Sequence, residues 1–220
     1  MPTPERDPSR PSPKMVRLYH HFSRLLGGEP PDLWVYESSR WQPLPDQPPT
    51  NWPTLKHVMV WPADDEVDVS TFQTIGMSER TIPDADYSAE LHMGIRAFLR
   101  KPERERVSRY LANVAEYAFD HRRALDWWHT VSNPGEIPHF PGCKHLMLHP
   151  RFTEEGFDTV PDADGVVKIF FVVPITPLER HLLVNHGRDA FIDYAADKEI
   201  DLFSDRTDPA GALSPEVADK

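Results

Sequence analysis

Residues 68–96 read DVSTFQTIGMSERTIPDADYSAELHMGIR, and the alternating runs at its two ends decide the fold class. In the first run, Val69, Thr71, Gln73 and Ile75 project to one side and Ser70, Phe72 and Thr74 to the other. In the second, Ala89, Leu91, Met93 and Ile95 face one way while Glu90, His92, Gly94 and Arg96 face the other. Side chains alternate across a strand with a period of two, so both runs are predicted strands, the second half-buried with one polar face. Between them, Thr74-Ile75-Gly76-Met77-Ser78 forms a corner. Gly76 permits positive φ or close backbone approach, Met77 suits an irregular gap in a core, and Ser78 can bond the turned backbone.

Working outward, LKHVMVW (55–61) is rich in Val and closed by Pro62. Three strands in succession without an intervening helix predict antiparallel pairing. The fold class is therefore α+β, with a mixed, mostly antiparallel sheet flanked by helices. Upstream, Met15, Leu18, Phe22 and Leu25 fall at helical spacing, and Gly27-Gly28 stops the run. A Pro-rich connection from Pro30 to Pro53 carries Trp34, Trp41 and Trp52, which predicts a loop packed on the body. Downstream, residues 103–121 return to helical spacing, with Val107, Tyr110, Leu111, Val114, Ala118 and His121 on one side. Two strands follow, KHLMLH (144–149) and VVKIFFVV (166–173), the second apolar throughout and hence central. Thr176-Pro177-Leu178-Glu179 then reads as a capping box with proline at the first helical position. The helix it opens carries Leu182 and Leu183, meets Gly187 and extends through Phe191 and Tyr194.

The 220 residues fit one domain, predicted over 14–206, and suffice for a core without disulfide or metal. Residues 1–13, with five prolines, read as a disordered tail, the chain loosens from Asp205, and 207–220 read as a flexible polar tail. The single cysteine, Cys143, allows no intramolecular disulfide and suits a reducing cytosol. With no apolar leader and no run of membrane-spanning length, a cytoplasmic location without membrane insertion is expected. The formal charge of −11 argues against a general nucleic-acid binder, whose footprint is a basic patch, and is compatible with a basic protein partner. Composition leaves the oligomeric state open.

His139, Cys143, His145 and His149 are the most suggestive chemical group. Positions 143, 145 and 149 share one face of a strand, and zinc favours such N and S ligands. Met147 shares that face, however, and residues 143 and 149 lie about 20 Å apart at ~3.3 Å per residue. One ion cannot span that distance. His181 and His186 are five apart and do not stack on a helix face. Neither HExxH, GxSxG, a P-loop nor GxGxxG occurs. Asp64, Asp65 and Glu66, like Glu154 and Glu155, read as solvated turns. Glu90 beside His92 could move a proton, but i, i+2 strand neighbours more commonly make a structural hydrogen bond. No catalytic, cofactor-binding or metal-binding residue is assigned. The competing enzyme reading is a metal-dependent hydrolase built on His139, Cys143, His145 and Glu90.

Taken in order, these elements resemble the suppressor of fused family, specifically its compact bacterial members, from about Lys56 to Arg206. A strand ending in Val60-Trp61-Pro62 precedes Thr74-Ile75-Gly76-Met77-Ser78, similar to the family's T-x-G-M-S signature. Ala89-Glu90-Leu91-His92-Met93 and His145-Leu146-Met147-Leu148 resemble two further family strands. Pro174-Ile175-Thr176 with Glu179-Arg180 and His186-Gly187 resembles the P-I-T-x-x-E-R helix and its following glycine. The resemblance implies a non-enzymatic protein-binding domain. Bacterial relatives imply an immunity-type protein that neutralises a toxin, often a nuclease, and −11 suits a basic toxin. Eukaryotic relatives imply the alternative of a scaffold that sequesters a transcription factor, clamping a peptide as an added strand. The residues the resemblance singles out as signature or partner-binding are Thr74, Gly76, Met77, Ser78, Glu90, His92, His145, Thr176 and Glu179.

Overall fold

A computed structural model describes residues 11–37, 55–150, 157–163 and 165–209. Helix α1 (Pro13–Leu25) is followed by strands β1 (Asp32–Glu37), β2 (Leu55–Trp61), β3 (Ser70–Ile75) and β4 (Ser88–Ile95), with a 3-10 turn at Met77–Glu79. Helices α2 (Lys101–Val114) and α3 (Tyr117–Asp120) lead to strands β5 (Thr130–Ser132), β6 (His145–His149), β7 (Thr159–Asp162) and β8 (Gly165–Ile175). Helices α4 (Pro177–His186) and α5 (Arg188–Asp197) close the fold. The sheet runs β1-β2-β3-β4-β8-β6-β5, with β7 pairing one end of β8. Every pairing is antiparallel except β4 with β8, where residues 88–92 meet residues 167–171. The sheet is mixed, mostly antiparallel and flanked by helices, and β8 is central as its apolar sequence implies.

Strand periodicity explains the layering. Val58, Val60, Phe72, Leu91, Met93, Phe170 and Val172 pack beneath α2, which contributes Val107, Leu111 and Val114. Alternate residues Met59, Ile75, Ile169 and Phe171 cover the opposite face with Met15, Leu18 and Phe22 of α1. Further along β8, Val173 and Ile175 join Met147 beneath Leu183 of α4 and Phe191 of α5. Both faces of the sheet centre are covered, so almost every residue of β4 is buried. The polar face expected on that strand is therefore interior, with Glu90 fully buried and His92 nearly so.

Other differences from the expectation have local causes. Strand β1 lies inside the Pro-rich connection read as a loop, paired with β2 from Asp32↔Val60 to Glu37↔Leu55. Trp41 and Trp52 lie outside the described residues, as do Glu154, Glu155 and residues 1–10. Residues 11–13 of the stretch read as a tail are among the described residues. Ser12 caps α1, its Oγ accepting from Met15 N at 2.9 Å and donating to Glu79 of the Met77–Glu79 turn. The long predicted helix at 103–121 starts earlier, at Lys101, and splits into α2 and α3. Strands β5 and β7 are too short, at three and four residues, to show a period.

The C-terminal segment is not loose at Asp205. Gly142 N donates to Asp205 Oδ1 at 3.0 Å and Leu178 N to Asp208 Oδ2 at 2.9 Å. The approach is close enough to require glycine: a Cβ at Gly142 would sit 2.1 Å from the Arg206 carbonyl oxygen. At Gly94 a Cβ would meet the Phe203 ring at 2.7 Å.

Candidate protein-binding surface

The corner at Thr74–Ser78 is built around Glu90. Gly76, in the left-handed region at φ 115°, turns its N–H inward, and the 3-10 turn brings Ser78 alongside. Glu90 Oε1 accepts from Gly76 N at 2.8 Å, Ser78 N at 3.0 Å and Ser78 Oγ at 2.6 Å, while Oε2 accepts from Thr74 Oγ1 at 2.7 Å. Thr74 Oγ1 in turn accepts from Leu91 N at 2.8 Å. Burial pushes the Glu90 carboxyl above its ordinary range, against the lowering effect of these donors. Met77 fills the core beside it. Glu90 is thus the hub that folds the corner onto β4, and its partner is not His92.

His92 has its own set of contacts. Gln73 Nε2 donates to Thr74 O at 3.1 Å, which leaves Gln73 Oε1 to accept from His92 Nδ1–H at 3.0 Å. The His92 ring packs against Phe157 and Phe171 at centroid distances of 5.5 and 4.6 Å. Burial depresses its pKa to about 3. The sign follows directly. A folded-state pKa below the ordinary 6.5 favours neutral imidazole, so this stability is present above pH 6.5 and is lost as pH falls toward 3. Between pH 7 and 5 the loss is about 2 kcal/mol from this group, since a pH unit below the unfolded pKa is worth ~1.4 kcal/mol. Denaturant titrations at pH 7, 6 and 5 check it, and His92→Gln flattens the dependence. Buried His145, held down to about 4 by burial first and Arg180 second, adds in the same direction.

The capping box at α4 forms as its sequence dictates. Thr176 Oγ1 accepts from Glu179 N at 3.3 Å and Glu179 Oε2 accepts from Thr176 N at 2.9 Å. Arg206 completes it from the C-terminal segment. Its Nε donates to Glu179 Oε1 at 2.6 Å, and its Nη2 to Glu179 Oε2 at 2.7 Å and to Pro174 O at 2.8 Å. Sequence reasoning missed Arg206, because nothing local marks an arginine that pairs 27 positions away.

Among the described residues no group of three or more His, Cys, Asp or Glu is placed to hold a metal ion. Cys143 is buried and its thiol is pushed up to about 12, chiefly by desolvation. His139 sits in a turn at φ 65°, and the ring of His149 stacks edge-on to Trp128 at 4.7 Å. Asp64 bonds its own turn, accepting from Glu66 N and Val67 N at 2.9 and 2.8 Å. His181 bonds Asn185 within α4.

All nine signature residues are buried. Bonding capacity at the surface lies instead at the two ends of the sheet. Among the described residues, strand β5 pairs only with β6 and borders a groove of about 290 Å³, lined by Tyr117, Arg123, Trp128, His129, Leu183 and Val184. Strand β1 likewise pairs only with β2 among them, and Leu33 and Val35 are about half exposed on it. Among the described residues no helix is long and apolar enough to cross a membrane.

The chain is thus a mixed sheet covered by helices on both faces, with its signature residues buried. The sequence matches the suppressor of fused protein (SUFU) family over residues 52–207, and the chain belongs to that family. Among solved structures it is similar to a SUFU homolog from Neisseria gonorrhoeae, with TM-score 0.62 and 15% identity over 91% of this chain and 97% of that one. A chain of the Sufu–Fu complex gives TM-score 0.59 at 11% identity over 94% and 96% of the two chains. Drosophila Suppressor of Fused gives TM-score 0.50 at 11% identity, over 74% of this chain and 44% of that one. No curated protein sequence matches. The Sufu–Fu complex shows that one structural relative binds a protein partner.

Proposed function

We propose that this chain is a non-enzymatic, cytoplasmic protein-binding domain of immunity type, which neutralises a basic bacterial toxin, such as a nuclease, by occluding it. The observation that carries the reading is the distribution of bonding capacity. Thr74, Gly76, Ser78, Glu90, Thr176 and Glu179 bond one another or Arg206 inside the fold, whereas the two outermost strands each have a pairing partner on one side only among the described residues. An open strand edge binds an extended segment of another protein through its backbone groups. The charge of −11 supports a basic partner, because it accelerates encounter with an opposite charge.

Co-expression with the toxin-like reading frame adjacent to this gene tests the reading. The expected result is restored growth and a complex that co-elutes, with an association rate that falls as salt rises. Failure to rescue growth, together with no complex, overturns it.

A further inference from the structure

We infer that the free edge of β1 is the docking strand for an extended, basic segment of a protein partner. The inference rests on the reading of the chain as a binder of a basic protein, and it assigns that binding to one place. Strand β1 has the sequence DLWVYE, without the lysine, proline or bulge that usually blunts an edge. Among the described residues it pairs with β2 alone, and its outward backbone groups have no partner there. Trp34 and Tyr36 pack toward the core under α2. Leu33 and Val35 point the other way and are 45% and 51% exposed. Together with Val16 of α1, itself 41% exposed, Leu33 borders an apolar groove of about 290 Å³ that Tyr19 and His57 also line. An added strand would lay alternate side chains over Leu33, Val35 and this groove.

Charge identifies the occupant. Asp32 pairs with Val60 at the end of β2, and the β2–β3 turn that follows carries Asp65 and Glu66, both exposed and without an ion-pair partner among the described residues. Trp61 Nε1 donates to Gly28 O at 3.0 Å, which holds exposed Glu29 at the same end. An incoming strand with Lys or Arg at that end meets unpaired carboxylates. The β5 edge differs, since Arg123, without an ion-pair partner among the described residues, lines its groove, and a guanidinium there disfavours a basic segment. A second copy is disfavoured as the occupant because it would bring two chains of −11 edge to edge.

The test uses the full chain and a fluorescein-labelled peptide of Val alternating with Thr, flanked by two Lys at each end. The control peptide carries Glu in place of every Lys. The expected result is at least tenfold tighter binding of the Lys peptide, new hydrogen-exchange protection at residues 32–37, and weakening between low and physiological salt. The Leu33→Lys/Val35→Lys variant, altered only at exposed positions, keeps the parental melting temperature and loses the peptide. Equal binding of both peptides, protection confined to β5, no binding, or unchanged binding by the variant overturns the inference. The same variant separates this inference from the broader reading. If it still neutralises the toxin, the β1 assignment fails and the immunity role stands. If the Lys peptide docks at β1 but no toxin is neutralised, the reverse holds.

Discussion

Glu90→Ala is expected to cost about 4 kcal/mol of folding stability, most of what a marginally stable domain possesses. The substitution removes one carboxylate and strands four donors: the N–H groups of Gly76 and Ser78 and the hydroxyls of Ser78 and Thr74. A buried donor left without an acceptor costs about 1–3 kcal/mol, and the losses combine less than additively because the corner relaxes as a unit. Equilibrium denaturation measures the loss. Glu90→Gln is the control, since it keeps the shape and one acceptor oxygen and should cost about 2 kcal/mol. A near-neutral Glu90→Ala would show that the corner holds its geometry without the carboxylate.

Arg206→Ala is expected to destabilise the fold by about 3–5 kcal/mol, the usual consequence of leaving a buried charge unpaired. Glu179 is only 2% exposed and loses both donations from the guanidinium, while Pro174 O loses its donor as well. Adding Glu179→Gln to Arg206→Ala should recover part of the loss, because it removes the stranded charge while keeping the cap on Thr176 N. A double variant no more stable than Arg206→Ala would place the contribution of Arg206 in packing instead. Hydrogen exchange provides a second readout, as the first turn of α4 should lose protection with the arginine gone.

Legibility in the sequence followed the range of the interaction. The β2–β3–β4 meander was readable because alternation is a local property, and the α4 cap because its donors and acceptors lie within four residues. Strand β1 was hidden by the prolines that flank it and is defined by its register with β2. The alternation in β4 was read correctly as a period but not as a burial pattern. Glu90 and His92 are polar residues placed inside, and their partners at Thr74, Gly76, Ser78, Gln73 and Phe157 come from other parts of the chain. The family motif located the scaffold, and it did so through buried residues. Exposed positions such as Leu33 and Val35, on the proposed docking edge, carry no motif.

The lone parallel pairing of β4 with β8 divides the order of assembly. Strands β1 to β4 join by neighbour-to-neighbour hairpins, and β5 to β8 pair among themselves, so each half closes mainly short loops. The two halves pair along one seam between segments about eighty residues apart in the chain and share the core on both faces of the sheet. Long-range closure of that kind is entropically slow and is compensated only when the contacts beyond it form. Closure of the β4–β8 seam is therefore expected to come late in folding.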